Sequence, residues 1–476
     1  MSSRERFEPV IGLEVHVQLA TRTKLFCDCA NEFGAPPNSL SCPICSGHPG
    51  VLPVPNDQAI QLALRAALML GCAIQARSKF DRKHYFYPDL PKGYQITQLD
   101  LPFARGGSVE LASGRLARLE RIHLEEDAGK NTHAEGYSVV DLNRAGVPLI
   151  EIVGLPDLRS PAEAADFLQS LRRAMRYAGA SDCDMEKGSL RSDANISVRE
   201  TGTTGLGTKV EIKNLNSFRM VERALAHELE RQAQTLERGE AVVQETRLWD
   251  DEQGETRSMR SKEEAMDYRY FPEPDIPPLR HVSSEVREIQ RELPEPPWRL
   301  RRRFIQELGL GDHDAGVLAS ELDIARYFEA TFAALGNAKL AANWVMTEVL
   351  RAVNETGVAL PCFPVQPAGL AELIALVEAG KASRQSARKV FQCMFETGES
   401  AAPALEQLGL AQISDPAVLE PLIRKVIEDS PKTVQDYRKG KTKALDALKG
   451  KVMRETRGRA DPALVGEILA RVLGEA

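Results

Sequence analysis

The sequence predicts an α+β fold followed by all-helical segments. Three observations carry this: strands with polar residues at alternate positions, capped helices interleaved irregularly among them, and a change near Trp298 to Ala-, Leu-, Glu- and Arg-rich helical spacing. Alternating half-polar strands suit antiparallel pairing, in which one sheet face packs and the other stays polar.

Each element follows from its own residues. From Pro9 to Leu19, Ile11, Leu13, Val15, Val17 and Leu19 share one face while Glu14, His16 and Gln18 share the other, the period of a strand. Asp193–Arg199 and Lys209–Lys213 alternate in the same way, so one sheet with a polar working face is expected. Asn56–Leu70 reads as a helix stopped by Gly71. Pro161–Ala178 starts from Ser160, with Glu163 forming a capping box, and Ser217–Arg238 is closed by Gly239. The proline-rich stretch Asp267–Pro278 cannot be a continuous helix or central strand, and its aromatics suggest an ordered loop that lines a site or bridges to the next unit.

At 476 residues the chain suggests about three domains, at roughly 150 residues each. The composition shift places them at 1–296, an α+β domain, 297–407, a helical domain, and 408–476, a second helical unit. Hydrophobic residues at 43% and charged residues at 27% suit a globular protein. No apolar run approaches the roughly eighteen residues of a membrane helix, and Met1–Pro9 lacks the apolar core of an export signal. A cytoplasmic protein with no membrane partner is expected. Its eight cysteines are half clustered and half scattered, as for metal binding plus buried thiols in a reducing compartment.

Cys27-x-Cys29 and Cys42-x-x-Cys45, twelve residues apart, can converge as four thiolates around a structural Zn²⁺, leaving no open position for catalysis. A second constellation is acidic. Glu14 and His16 share a strand face, Glu125, Glu126 and Asp127 close a strand-like Arg121-Ile-His-Leu, Glu151 sits within Leu149-Ile-Glu-Ile, and Asp193 opens another strand. Carboxylates with one imidazole suit Mg²⁺, which bridges protein to nucleotide phosphates. Taken singly, each is more often a solvated strand residue; their recurrence on strands of one domain raises the metal reading. Arg144, Lys187, Arg191 and Lys213, with Arg82, Lys83, Lys92, Lys130 and Lys209, supply cations for a phosphate clamp, although most such cations simply balance a surface of 68 acids.

No phosphate-binding loop occurs: Gly440-Lys441-Thr442 lacks the first glycine because position 435 is Gln. Gly205-Leu-Gly207 precedes a strand and fails as a dinucleotide fingerprint. Any ATP site must therefore use another fold. Residues 431–460 carry ten Lys or Arg against three acids, a local +7 in a chain of net −7. Arg438, Lys439, Lys441, Lys443, Lys451 and Arg454 there read either as a nucleic-acid backbone patch or as a solvated helical face.

Long motifs then resemble one family. Val10-Ile-Gly-Leu-Glu-Val-His-Val-Gln-Leu19, Phe80-Asp-Arg-Lys-His-Tyr-Phe-Tyr-Pro-Asp-Leu-Pro-Lys-Gly-Tyr-Gln95, His123-Leu-Glu-Glu-Asp-Ala-Gly-Lys130, Asp141-Leu-Asn-Arg-Ala-Gly-Val-Pro-Leu-Ile-Glu151, Gly188-Ser-Leu-Arg-Ser-Asp-Ala-Asn-Ile-Ser197 and Glu211-Ile-Lys-Asn-Leu-Asn-Ser217 are similar to the B subunits of bacterial tRNA-dependent amidotransferases, the GatB family. Asp436-Tyr-Arg-Lys-Gly-Lys441 and Gly450–Pro462 resemble the YqeY-type helical tail that this family uses against tRNA.

The resemblance implies a cradle domain of glutamine synthetase and guanido kinase type, a helical domain and a tRNA-binding tail. It implies ATP- and Mg²⁺-dependent phosphorylation of the side-chain carboxylate of Glu-tRNA(Gln) or Asp-tRNA(Asn), followed by amidation. By this resemblance Glu14, His16, Glu125, Glu126, Glu151 and Asp193 hold Mg²⁺, while Lys83 and Lys92 serve phosphate or the ammonia path. Intact Cys27, Cys29, Cys42 and Cys45 place the chain in the family's zinc-bearing group. The chain has no glycine- and serine-rich amidase signature, so ammonia would come from the family's A subunit, with the small C subunit holding the pair and the misacylating synthetase as a further candidate partner. A zinc-bearing RNA-binding protein without catalysis, or a free-standing ammonia ligase, are the competing readings.

Overall fold

The structure, a computed structural model, describes residues 6–261, 267–413, 415–439, 441, 443–456 and 458–475. Met1–Glu5 of the charged start, Gly440 and Thr442 of the rejected phosphate loop, and Arg457 of the tail motif lie outside them. The chain divides into two compact units, residues 1–299 and 300–476.

The first unit is a mixed α+β structure around a ten-stranded sheet. Its strands are β1 (Phe7–Gln18), β2 (Ala73–Ile74), β6 (Ala104–Arg105), β7 (Ser108–Glu110), β8 (Leu116–Glu126), β11 (Pro148–Gly154), β12 (Leu190–Glu200), β13 (Val210–Leu215), β14 (Glu245–Asp250) and β15 (Glu255–Ser261). Their order is β15-β14-β13-β12-β1-β11-β8-β6-β2, with β7 also on β8. The short strands β3 (Arg77–Ser78), β4 (Asp81–His84), β5 (Tyr94–Thr97), β9 (Lys130–Ala134), β10 (Tyr137–Asp141), β16 (Phe271–Pro272) and β17 (Leu279–Arg280) form three smaller sheets.

The period of two in β1 decides which face is packed. Ile11, Leu13, Val15 and Val17 are at most 1% exposed, whereas Glu14, His16 and Gln18 on the other face are half-buried. Burying each such aliphatic side chain contributes roughly 1.5–3 kcal/mol, so Val15→Asp would remove a central support of the sheet. The helix Phe218–Glu237 lies on β12, its Ala233 packing with Phe7 and Val198, and the helix Pro161–Tyr177 packs on it in turn.

The expected helices form. Asn56 caps Asp57–Met69 by accepting from the amides of Gln58 and Ala59, and Ser217 caps Phe218–Glu237 through the Met220 amide. Ser160 accepts from the Glu163 amide at 3.1 Å, while the Glu163 carboxylate takes the amide of Arg159 at 2.7 Å. The expectation of a purely antiparallel sheet needs correction at one edge, because β13 and β14 run parallel. The helix Phe218–Glu237 stands between them and carries the chain back across the sheet, the connection a parallel pair requires.

The segment 267–280 is indeed strapped into the first unit. β16 pairs with β4 and β17 with β3, while buried Glu273 accepts from Arg82 at 2.6 and 2.8 Å. The second unit is helical. Its C-terminal helices Pro416–Glu428, Pro431–Arg438, Lys443–Glu455 and Pro462–Glu475 share a core of Leu419, Ile423, Leu448, Val452, Val465 and Leu469. Among the described residues no helix is long and apolar enough to cross a membrane.

Candidate functional site

Register assembles the polar face of the sheet. His16 on β1 stands opposite Arg191 on β12 and Glu151 on β11, and Glu151 stands opposite His123 on β8. Residues directly opposed in a sheet share a face, so Arg191, His16, Glu151 and His123 form one row across four strands. Glu14 and Asp193 form the adjacent row, and Glu125 lies two residues beyond His123 on the same face.

The row closes into a compact donor group. His16 Nε2 is 3.5 Å from a carboxylate oxygen of Glu125 and 3.5 Å from one of Glu151, and His123 Nε2 is 3.1 Å from Glu151. One donor atom each from His16, Glu125 and Glu151 lies within 4.8 Å of the others. Octahedral oxygen ligands about 2.1 Å from a metal stand roughly 3.0 to 4.2 Å apart, a range that the two 3.5 Å separations of His16 from the carboxylates meet. Thr97 Oγ1 donates to the second Glu125 oxygen at 2.9 Å, fixing that carboxylate.

Charge is concentrated here. Burial opposes ionisation of Glu151, but hydrogen bonds to His123 and His16 outweigh it and hold the carboxyl well below its usual range. Burial likewise opposes the His123 cation, yet Glu125 and Glu151 raise its pKa to about 9. Glu14 is pushed upward by burial and by the nearby charge of Glu151. Asn195 donates to Glu14 at 2.9 Å, while its own Oδ1, Arg191 Nε and His123 Nδ1 are buried without a hydrogen-bond partner among the described residues. Orphaned polar atoms along a working face are what a bound polar ligand or water would satisfy.

Other anticipated residues take separate positions. Glu126 follows Glu125 along β8 and points to the opposite face, where it pairs with Lys92 and accepts from the Ile96 amide at 2.9 Å. Asp193 pairs with Lys213 at 2.8 Å in the row beside Glu14. Arg191 and Arg144 both reach Asp127, at 2.6 and 3.5 Å. Lys83 stands 4.8 Å over the Tyr268 ring, whereas Lys187 pairs with Asp182 and Asp184 in the loop before β12. In the second unit Arg438, Lys439, Lys441, Lys443 and Arg454 are exposed, while Lys451 is half-buried and donates to Ser430.

His123 is the residue that sequence reasoning missed as a site member. The signal was present, since His123-x-Glu125 repeats the alternation of Glu14-x-His16. It was read as part of a strand end rather than as a ligand-bearing face.

A second donor group forms on loops. The sulfurs of Cys27, Cys29, Cys42 and Cys45 lie within 4.8 Å of one another, with Cys42 and Cys45 3.9 Å apart. A tetrahedral centre with 2.3 Å bonds needs sulfurs about 3.8 Å apart. The Cys45 thiol is held down to about 4, first by a hydrogen bond from Cys27 and further by the charge of Lys24, while burial and a hydrogen bond to Cys42 push Cys29 up to about 11. Beside this tetrad lies a cavity of about 420 Å³, lined in part by Phe26, Cys45, Gly47, Lys92, Tyr94 and Glu126.

A half-polar sheet that gathers carboxylates and imidazoles on one face, beside a thiolate tetrad, defines an α+β domain with two separate groups that could each hold a metal ion. Residues 9–287 match the GatB/GatE catalytic domain, and residues 326–473 match the GatB domain. The chain belongs to the GatB family. It is 48% identical over 474 residues to the B subunit of the aspartyl/glutamyl-tRNA(Asn/Gln) amidotransferase of Thermodesulfovibrio yellowstonii, covering 99% of this chain and 100% of that one. It is 50% identical over 479 residues to the protein of the same name from Thermotoga maritima, covering 98% and 99%.

Proposed function

We propose that this chain is the B subunit of a tRNA-dependent amidotransferase, a cytoplasmic carbon–nitrogen ligase of translation. It uses ATP to phosphorylate the side-chain carboxylate of Glu-tRNA(Gln) or Asp-tRNA(Asn), and ammonia then displaces the phosphate to leave Gln-tRNA(Gln) or Asn-tRNA(Asn). The observation that carries this reading is the His16, Glu125 and Glu151 donor group on a sheet with Arg191 in the same row.

The chemistry requires such a face. A carboxylate is a poor acyl donor until phosphorylated, and transfer spreads negative charge over the phosphoryl oxygens. Mg²⁺, when bound, supplies charge neutralisation at those oxygens. His16, Glu125 and Glu151 would hold it, with Glu14 and Asp193 in the next row, whereas Glu126 faces Lys92 on the other side of the sheet and is no ligand. Arg191, Arg144, Lys213 and Lys83 bind phosphate groups, with Lys187 at the rim. The Lys92–Glu126 pair lines the cavity through which ammonia from the A subunit enters. Zn²⁺ in the Cys27, Cys29, Cys42 and Cys45 tetrad has a structural role, because four sulfur ligands leave no open position.

The finer architecture belongs to the same proposal. Residues 1–296 form a cradle of glutamine synthetase and guanido kinase type, 297–407 a helical domain, and 408–476 a YqeY-like tail. There Arg438, Lys439, Lys441, Lys443, Lys451 and Arg454 contact the tRNA backbone. The A and C subunits complete the enzyme, with the misacylating synthetase as an associated partner.

The test is phosphate release from ATP by the chain together with its A and C partners, on addition of Glu-tRNA(Gln) or Asp-tRNA(Asn). Release that depends on the misacylated tRNA is expected. Binding of tRNA without any ATP turnover would replace this reading with that of a binding protein.

A further inference from the structure

The thiolate loop holds a buried charge that the proposed reaction does not use. Lys24 is 0% exposed, and its ammonium donates to the carbonyls of Leu40 at 2.7 Å and Leu142 at 3.3 Å and to Cys45 Sγ at 3.6 Å. Among the described residues no carboxylate pairs with it. An ammonium withdrawn from water onto neutral carbonyls alone is costly, and the cost is offset only by a nearby opposite charge. Four thiolates around one divalent cation carry a net charge of about −2, which supplies that opposite charge.

The same contacts reach the cavity. Gly146, at φ +85°, lies where an added Cβ would stand 3.4 Å from Cys45 Cβ, 3.5 Å from Lys24 Cδ and 3.9 Å from Glu126 Oε2. Gly47, at φ +71°, approaches Lys92 so closely that a Cβ would stand 2.4 Å from its Cγ. Gly146 therefore lies between Lys24, Cys45 and Glu126, and Gly47, two residues after Cys45, lies against Lys92, so the thiolate loop adjoins both members of the Lys92–Glu126 pair. Leu142 and Gly146 belong to the turn between β10 and β11, so the Lys24 bonds also tie the thiolate loop to the strand bearing Glu151.

We propose that Lys24 is the counter-ion of the thiolate centre and, through that pairing, the residue that positions the loop against the Lys92–Glu126 pair. This rests on the zinc reading of the tetrad, which the zinc content of the wild-type full chain tests separately. Absence of zinc from the purified wild type would sink that reading and this inference with it.

The decisive comparison is made in the full chain. In Lys24→Met, zinc release to a chromophoric chelator should accelerate by at least about tenfold, since the centre's charge is no longer balanced. Cys45→Asp places a carboxylate where the thiolate faced Lys24, and Cys45→Ala places nothing. Stripped of zinc, Cys45→Asp should melt at least about 4 °C above Cys45→Ala, and that advantage should vanish when Lys24→Met is added to both. Equal melting of the two Cys45 variants with Lys24 in place, or wild-type zinc release from Lys24→Met, would overturn the inference. The Cys45 comparison keeps Lys24 intact, so it decides the matter even where Lys24→Met does not fold.

Discussion

The two donor groups of the first unit are built in opposite ways. The thiolate tetrad comes from loops within nineteen residues of sequence, Cys27 to Cys45, and its ligands need only short turns to converge. The imidazole–carboxylate group draws on β1, β8 and β11, from His16 to Glu151, and exists only because three strands pair in one register. A local site tolerates changes in the sheet, whereas a register-built site is lost if a strand slips by one residue, since each side chain then faces the other way. The first therefore suits a structural ion and the second a reaction that requires a rigid platform.

The largest expected effect tests the register-built group. Glu125→Gln and Glu151→Gln keep side-chain shape but remove the charge that would hold a hard cation. Each should lower tRNA-dependent phosphate release from ATP by about 10²- to 10³-fold, with little change in zinc content. Near-wild-type turnover in both variants would remove these carboxylates from the proposed site.

Cys42→Ser should invert that pattern. It breaks the tetrad, so zinc stoichiometry should fall and the melting temperature should drop by several degrees, on the order of 2–4 °C per kcal/mol lost. The remaining folded fraction should lose activity by less than about tenfold. If Cys42→Ser instead matched Glu151→Gln in kinetics while melting normally, the division between a structural and a catalytic centre would be wrong.

A smaller effect is expected in the second unit. Lys439→Ala, Lys443→Ala and Arg454→Ala together remove three exposed cations. They should weaken tRNA binding several-fold and reduce the slope of log affinity against log salt by about two to three. Turnover at saturating tRNA should stay near wild type. An unchanged salt slope would mean that this face is only solvated.

What could be read from sequence divides along the same local and nonlocal line. The tetrad was legible because cysteine spacing within one loop suffices. The polar face of β1 was legible because period two is a property of a single strand. That His16, Glu151 and His123 meet in one row was not legible, since it depends on partners far apart in the chain. Glu125 and Glu126 were expected together, yet neighbours on a strand point to opposite faces, and Glu126 turns to Lys92. The parallel β13–β14 pair was missed for a related reason: alternation within a strand fixes its faces but not its direction relative to a neighbour.

Histidines sharpen the contrast at the smallest scale. His123 lies between two carboxylates that raise its pKa to about 9, whereas His281 lies outside both donor groups, where burial lowers its pKa and the charge of Glu285 only partly offsets this. Ser78 Oγ is 3.0 Å from His281 Nε2, which ties β17 to β3. Because the folded pKa of His281 lies below its unfolded value of about 6.5, the unfolded chain binds the extra proton first. Its contribution to stability is therefore present above pH 6.5 and is lost as pH falls through the folded pKa. His281→Gln should make the melting temperature less sensitive to acid between pH 7 and 5, by about 1–3 °C. An identical pH profile in variant and wild type would show that His281 titrates alike in both states and that burial does not hold it neutral.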